Sequence, residues 1–296
     1  MLKIFSDFRN SDNDPLFKHI RKYFNDKPFT IFYERFPRSF EELSLNPYNF
    51  LILFEPNEFF GFHNIAINNN NFTAILTWSD IILNNCDNGV RFTFNGRVLD
   101  EEFCTSLETK TKKFEVSFLC GDKNLVEGHK LRHDVYYLEN NINIPKKWYY
   151  VLEDYDVKNQ SRPGYGNYGK DLSHIPQNID PIGYGKRILY EDSMFNIVIE
   201  NVKHTNWYNK IGDNFLSKTI PIYWGCENIS DFGYDERGIL RFETPEQLVH
   251  IVNNLTPDLY EHMKPFVEYN YNIAKLDNLE DNISHFFKEF IKLNNI

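Results

Sequence analysis

The sequence predicts an α/β fold in which parallel strands alternate with helices in two successive domains. Short apolar runs alternate with segments of helical periodicity along most of the chain. The alternation stops in a charged stretch, residues 100–113, and then starts again. Residues 195–225 follow the order strand, loop, helix, strand, which is the repeating unit of a parallel sheet. These three observations together predict two α/β domains.

The N-terminal half consists of short apolar runs that end at polar or turn-forming residues, which is typical of buried strands. Pro15 suits a first helical turn, and apolar residues recur on one side of the segment that follows it. We expect strands at residues 2–8, 29–33, 49–54, 65–67 and 73–78, and helices at residues 15–24 and 40–43.

The C-terminal half repeats this pattern and ends in helices. We expect strands at residues 114–120, 149–152, 195–199, 219–225 and 238–242, and helices beginning near residues 128, 211, 245, 258 and 280. The last helix is amphipathic, which is typical of a helix that packs on a core. With 296 residues the chain is long enough for two domains. We place them at residues 1–110 and 111–296, with the alternative that the last helix packs back on the N-terminal domain.

The composition argues against several classes of protein. Hydrophobic residues make up 42% of the chain, which is too many for a disordered protein. A formal net charge of −10 argues against broad binding to nucleic acid, so any bound phosphate requires locally placed cations. The four cysteines lack the spacing of a disulfide framework or a zinc site. The sequence shows no signal peptide and no membrane-spanning run, which favours a cytoplasmic protein.

One candidate site follows an apolar strand that ends at Glu200 and Asn201. The carboxyl ends of parallel strands are where open α/β sheets bind ligands. Lys210 comes next, near the predicted start of a helix that Asn206 or Asn209 could cap. Backbone N–H groups at a helix start, the helix dipole and the lysine together favour phosphate. The alternative is a solvated lysine beside a Glu-Asn pair that only caps the helix.

The motifs FNIVIEN, beginning at Phe195, and TIPIYWG, beginning at Thr219, with Lys210 between them, resemble the donor-binding motif of the α-1,3/1,4-fucosyltransferase family. The resemblance implies a GT-B fold, in which two Rossmann-like domains face each other across a cleft. It also implies that Lys210 contacts the phosphates of a nucleotide-sugar donor. Tyr208 and Asn209 stand where the family has Thr and a ribose-binding Glu. This departure leaves the donor open between GDP-fucose and another GDP- or UDP-sugar.

The resemblance extends to the strand at residues 114–120 and to the arginine-bearing helix after it, which implies that Arg132 binds the donor diphosphate. A guanidinium can bind two phosphate oxygens at once. The alternative is a surface arginine paired with Asp134 or Glu139. Three nearby residues could widen the positive patch: Lys123, His129 and Lys130. The predicted donor site consists of Arg132, Glu200, Asn201, Tyr208, Asn209, Lys210, Tyr223 and Gly225.

Glu55 is the predicted general base. It lies at the carboxyl end of an apolar strand, where partial burial suits a carboxylate to accept a hydroxyl proton. The segment Phe54-Glu55-Pro56 resembles the family segment that carries the proposed base, and Glu58 is the second choice. The alternative role for Glu55 is to cap the turn that follows.

Together with these residues, the resemblance implies an inverting, metal-independent glycosyltransferase that transfers fucose or another sugar to a hydroxyl of a glycan or glycoconjugate acceptor, with no cofactor beyond the nucleotide sugar. Two alternatives stay open. An apolar strand followed by Asp154 and Asp156 is typical of transferases that hold Mn²⁺ or Mg²⁺ on the donor diphosphate. A non-enzymatic carbohydrate-binding protein is the other alternative.

Overall fold

The computed structural model describes residues 1–7, 14–93, 99, 101–108, 110–151 and 184–296. The chain divides into two compact units. The N-terminal unit is Met1–Phe94 with Asp277–Ile296, and the C-terminal unit is Asn95–Leu276. Within the described residues each unit contains one parallel five-stranded sheet. The predicted α/β class is therefore confirmed.

The elements follow one another in the expected alternation. The strands are β1 (Lys3–Ser6), β2 (Phe29–Tyr33), β3 (Tyr48–Leu53), β4 (Ala74–Thr77), β5 (Gly89–Arg91), β6 (Lys113–Gly121), β7 (Lys146–Val151), β8 (Ser193–Ile199), β9 (Ile220–Trp224) and β10 (Leu240–Arg241). The helices are α1 (Pro15–Phe24), α2 (Phe40–Ser44), α3 (Asn57–Phe60), α4 (Phe62–Ala66), α5 (Asp80–Asn85), α6 (Glu101–Ser106), α7 (Glu127–Tyr137), α8 (Tyr184–Tyr190), α9 (Ile211–Leu216), α10 (Pro245–Asn253), α11 (Pro257–Leu276) and α12 (Leu279–Asn294).

The N-terminal unit is built on a sheet whose strands lie side by side in chain order, from β1 to β5. Asp14 is the N-cap residue of α1, and its side chain accepts the backbone N–H of Leu16 at 2.9 Å, which fixes the start of that helix. Phe287 of α12 is fully buried. Its ring centroid lies 5.4 Å from those of Phe24 and Phe29 and 5.0 Å from that of Phe50. The last helix therefore packs against α1 and the sheet of this unit.

The C-terminal unit has the strand order β7-β6-β8-β9-β10, so the chain reverses its direction of winding between β6 and β8. The apolar side chains of these two strands, such as Phe118 and Phe195, are fully buried because helices cover both faces of a doubly wound sheet. In such sheets the crevice for a ligand lies at the carboxyl ends of the two strands where the winding reverses. β6 ends at Gly121 and β8 ends at Ile199, which places Glu200 directly at this position.

The predicted strand at residues 65–67 is wrong, because Ile65 and Ala66 belong to α4. Gly61, with φ of 66°, begins that helix, and the Asn57 side chain accepts the N–H of His63 at 3.0 Å. Ile65 is 49% exposed, as suits the outer side of a helix. An apolar run of three residues is too short to distinguish the two-residue period of a strand from the 3.6-residue period of a helix.

None of the described helices is both long and apolar enough to span a membrane.

Candidate functional site

The site in the C-terminal unit is centred on the polar pair that ends β8. The backbone N–H of Gly128, in the first turn of α7, donates to the carbonyl of Asn201 at 2.9 Å. A Cβ atom at residue 128 would lie 1.8 Å from the Glu200 carbonyl oxygen, so only glycine allows this approach. The absence of a side chain therefore brings α7 against the carboxyl end of β8.

Glu200 organises the loop between β8 and α9. Its side chain is fully buried, and Oε1 accepts the backbone N–H groups of Asn209 at 3.0 Å and of Lys210 at 2.8 Å. The Tyr223 hydroxyl lies 3.4 Å from the same oxygen. A buried carboxylate is stabilised by such donors, and the donors fix the backbone from which the Lys210 side chain extends.

Two cations that are distant in sequence meet at Asn201. Arg132 donates from Nη2 to Asn201 Oδ1 at 2.6 Å, and Lys210 donates from Nζ to the same oxygen at 3.1 Å. Lys210 Nζ also lies 3.5 Å from Glu200 Oε2. The Lys210 side chain is 27% exposed, so its ammonium remains in reach of solvent. The structure thus brings together two residues that the sequence assigns to the donor diphosphate.

The loop before α9 is held differently from the sequence prediction. Lys210 itself, rather than Asn206 or Asn209, is the N-cap residue of α9. Asn206 has φ of 63° and forms two hydrogen bonds with Asn228. The backbone N–H of Asn206 donates to Asn228 Oδ1 at 2.7 Å, and Nδ2 of Asn228 donates to Asn206 Oδ1 at 2.9 Å. α9 has only six residues, so its dipole is weak. The prediction that this site binds phosphate therefore depends on the side chains of Arg132 and Lys210.

Three of the predicted donor-binding residues, Tyr208, Tyr223 and Gly225, contact other residues of the C-terminal unit. Tyr208 and Tyr223 are buried, and the Tyr223 hydroxyl accepts the N–H of Cys226 at 2.9 Å. A Cβ atom at Gly225 would lie 2.4 Å from Glu200 Cγ. Tyr223 and Gly225 therefore lie against the Glu200 side chain. The Tyr208 ring instead packs on the rings of Phe232 and Tyr234.

His129, on α7, carries no positive charge at neutral pH, contrary to the sequence expectation that it widens the positive patch. Burial lowers its pKa to about 2, with further lowering by the charges of Arg132 and Lys210. Its Nδ1 lies 3.2 Å from the backbone N of Leu125 and accepts that N–H. The neutral imidazole is consequently a hydrogen-bond acceptor for the backbone of Leu125.

We expect the stability of the protein to fall more steeply in acid than that of a His129→Asn variant. The unfolded histidine binds a proton below its ordinary pKa of 6.5, whereas the folded one does so only near pH 2. Between about pH 6.5 and pH 2, protonation of His129 therefore favours the unfolded state, and the free energy of unfolding falls by at most about 1.4 kcal/mol for each pH unit of acidification. Asparagine keeps an oxygen acceptor for the Leu125 N–H and does not titrate. Urea denaturation at pH 7.5, 6 and 5 measures the effect, and parallel pH dependences for the two proteins would refute it.

The predicted base lies in the N-terminal unit. Glu55 follows β3 and is partly buried. Its backbone N–H donates to Oε1 of Glu34 at 2.7 Å, and its carbonyl oxygen lies 3.1 Å from Nε2 of His63. Glu58 is exposed on α3. Glu34 was missed by the sequence reasoning, although it is a polar residue directly after an apolar strand and meets the same criterion that selected Glu55 and Glu200.

The predicted alternative metal ligands, Asp154 and Asp156, lie outside the described residues. In the part of the chain that the structure does describe, no three or more His, Cys, Asp or Glu side chains form a group that could hold a metal ion.

The fold matches the GT-B class of glycosyltransferase structures. An α1,3-fucosyltransferase crystal structure shares 13% sequence identity with a TM-score of 0.51, over 94% of this chain and 91% of that one. The crystal structure of TarM shares 12% identity with a TM-score of 0.53, over 92% of this chain and 56% of that one. The sequence matches no family model and no curated protein. At these identities the likeness establishes the fold.

Proposed function

We propose that the protein is an inverting glycosyltransferase whose C-terminal unit binds a nucleotide-sugar donor through Arg132 and Lys210. The observation that carries the proposal is that both cations donate to one oxygen, Asn201 Oδ1. Two cations held this close to each other repel unless an anion or a polar oxygen lies between them, so the pair suits a diphosphate. Its position where the winding of the sheet reverses is that of ligand sites in doubly wound folds.

The remaining donor-site residues have supporting roles in this proposal. Glu200 fixes the backbone of Asn209 and Lys210, and its burial keeps it away from the ligand. Asn209 replaces the family's ribose-binding glutamate with a neutral amide and is partly exposed. GDP-fucose is the donor that the family resemblance favours, and another GDP- or UDP-sugar is the alternative that this replacement leaves open.

In the reaction we propose, Glu55 takes the proton of an acceptor hydroxyl. The hydroxyl oxygen forms a bond to the anomeric carbon while the bond from that carbon to the diphosphate oxygen breaks, with inversion at the carbon. The nucleoside diphosphate departs with the electron pair, and Arg132 and Lys210 offset its growing negative charge. These two cations take the part of a metal ion in this mechanism. The acceptor is a glycan or glycoconjugate hydroxyl.

Replacement of Glu55 with glutamine is expected to lower kcat by about 100-fold or more, because general-base catalysis is worth ~10²–10⁴ in rate. The donor is first identified as the nucleotide sugar, from a panel of GDP- and UDP-sugars, that raises the melting temperature most. Glu58→Gln tests the second choice for the base, since Glu58 is exposed four residues from the predicted strand end, and it should keep full activity if Glu55 is the base.

The Glu55→Gln protein should keep the donor-induced rise in melting temperature, because the donor cations lie in the other unit. Full transfer activity in Glu55→Gln would contradict the role of Glu55. A panel in which no nucleotide sugar raises the melting temperature would contradict the transferase proposal and favour a non-enzymatic carbohydrate-binding protein.

A further inference from the structure

Glu34, directly after β2, has an unusual backbone conformation. Its φ is 48°, in the left-handed region that side-chain-bearing residues rarely adopt, and only 2% of the residue is exposed. Buried residues keep such a conformation only when their surroundings hold them in it, and these positions concentrate at functional sites. The conformation at Glu34 therefore requires an explanation in terms of its contacts.

Three hydrogen bonds of Glu34 lead to the carboxyl end of β3. Its backbone N–H donates to the carbonyl of Ile52 at 3.0 Å, which continues the sheet by one residue. Its side chain then accepts two consecutive backbone N–H groups, those of Phe54 and Glu55, the second at 2.7 Å. Both bonds end on Oε1. The left-handed backbone conformation of Glu34 thus accompanies the contact of its side chain with the two residues that follow β3.

The same two residues are held through their carbonyl groups. Trp78 donates from Nε1 to the carbonyl oxygen of Phe54 at 2.8 Å, and Nε2 of His63 lies 3.1 Å from the carbonyl oxygen of Glu55. The rings of His63 and Trp78 contact each other at a centroid distance of 5.4 Å. The backbone of Glu55 is thus fixed on its N–H side by Glu34 and on its carbonyl side by His63.

The C-terminal unit uses an equivalent arrangement. Glu200 also follows a parallel strand, is also fully buried, and also accepts two consecutive N–H groups on one oxygen, those of Asn209 and Lys210. In both units a buried glutamate therefore holds the backbone of the residue to which a direct role in transfer is proposed.

We propose that Glu34 is a positioning residue that fixes the backbone of Glu55 and so directs its carboxylate toward the acceptor hydroxyl. This inference rests on the proposed role of Glu55 as the base. Its physical basis is that a base displaced by about 1 Å loses on the order of 100-fold in rate. Glu34 acts only through Glu55, so it affects proton transfer and leaves donor binding unchanged.

Three substitutions separate positioning from stability. Glu34→Ala removes the acceptor for both N–H groups and is expected to lower kcat by about 100-fold with little change in the KM for the donor. Glu34→Gln retains an Oε1 acceptor and should recover at least tenfold of that loss. Glu34→Gly also lacks the acceptor but adopts a positive φ without strain, so it should melt no lower than Glu34→Ala while being as slow.

If Glu34→Gly, which lacks the acceptor, is as active as the wild type, the carboxylate of Glu34 is not needed to position Glu55, and the proposal is overturned. A double variant, Glu34→Ala with Glu55→Gln, should be no slower than Glu55→Gln alone, because Glu34 acts through Glu55. A further tenfold loss in the double variant would assign Glu34 an independent role and overturn the proposal. Glu55→Gln alone tells the two hypotheses apart: if it is fully active, the proposed base is wrong, and if it is inactive while Glu34→Ala is fully active, only the positioning role is wrong.

Discussion

Replacing Lys210 with alanine should weaken the binding of a nucleoside diphosphate by about 30-fold, or about 2 kcal/mol, the usual worth of a hydrogen bond to a charged group. The Lys210 ammonium lies 3.1 Å from Asn201 Oδ1, next to the Arg132 guanidinium, and remains in reach of solvent. Its loss removes one of two cations that converge on the diphosphate. Titration calorimetry with GDP and UDP measures the change.

The matched control for this prediction is Lys130→Ala. Lys130 lies on α7, the helix that carries Arg132, but it is exposed. The Lys130→Ala substitution removes one positive charge, as Lys210→Ala does, but leaves Arg132 and Lys210 in place. Any general effect of net charge on binding is therefore the same in both variants. Equal losses in the two variants would mean that Lys210 has no specific role.

Replacing Gly128 with alanine should destabilise the protein by about 3 kcal/mol, the upper end of the usual cost of overpacking. The added Cβ would lie 1.8 Å from the Glu200 carbonyl oxygen and 2.7 Å from that of Asn201. Both neighbours are backbone atoms at the end of a buried strand, so they cannot move aside as a flexible side chain does. The predicted result is a lower midpoint in urea denaturation, together with weaker nucleoside diphosphate binding because α7 carries Arg132.

Gly89→Ala is the control for Gly128→Ala. A Cβ at residue 89 would meet its nearest neighbour, the Cys86 carbonyl oxygen, at 3.1 Å, which requires a shift of only a few tenths of an ångström. We expect it to cost less than about 1 kcal/mol and to leave diphosphate binding unchanged. A Gly128→Ala protein as stable as Gly89→Ala would show that α7 does not depend on this close approach.

Local signals predicted much of the fold. The helix at residues 15–24 and the strand at residues 29–33 have the predicted bounds. A proline in the first turn and apolar residues on one side mark the helix, and a continuous apolar run marks the strand. α5 was not predicted, because it has six residues of which only Ile82 is buried, and this is too few to show the apolar periodicity of a helix. α6 likewise has six residues and lies in the charged stretch without a clear period.

The candidate site was predictable where it depends on strand ends and not where it depends on strand pairing. Glu200 and Asn201 were predicted from the end of an apolar strand, and Lys210 from its place near a predicted helix start and from the family resemblance. The contact between Glu34 and the backbone of Glu55 depends on the register of β2 and β3, in which Tyr33 lies opposite Ile52. A single sequence does not specify that register. The neutrality of His129 depends in the same way on burial and on cations that tertiary structure brings near it.

A double-mutant cycle on Arg132 and Lys210 tests the central claim, that the two cations bind one diphosphate. Binding of GDP and UDP is measured by calorimetry for the wild type, Arg132→Ala, Lys210→Ala and the double variant. We predict a coupling of about 1 kcal/mol or more with the diphosphates, as is usual for residues that share a partner, and none with the corresponding nucleosides. Additive losses, or losses that are the same for nucleosides and diphosphates, would contradict the claim.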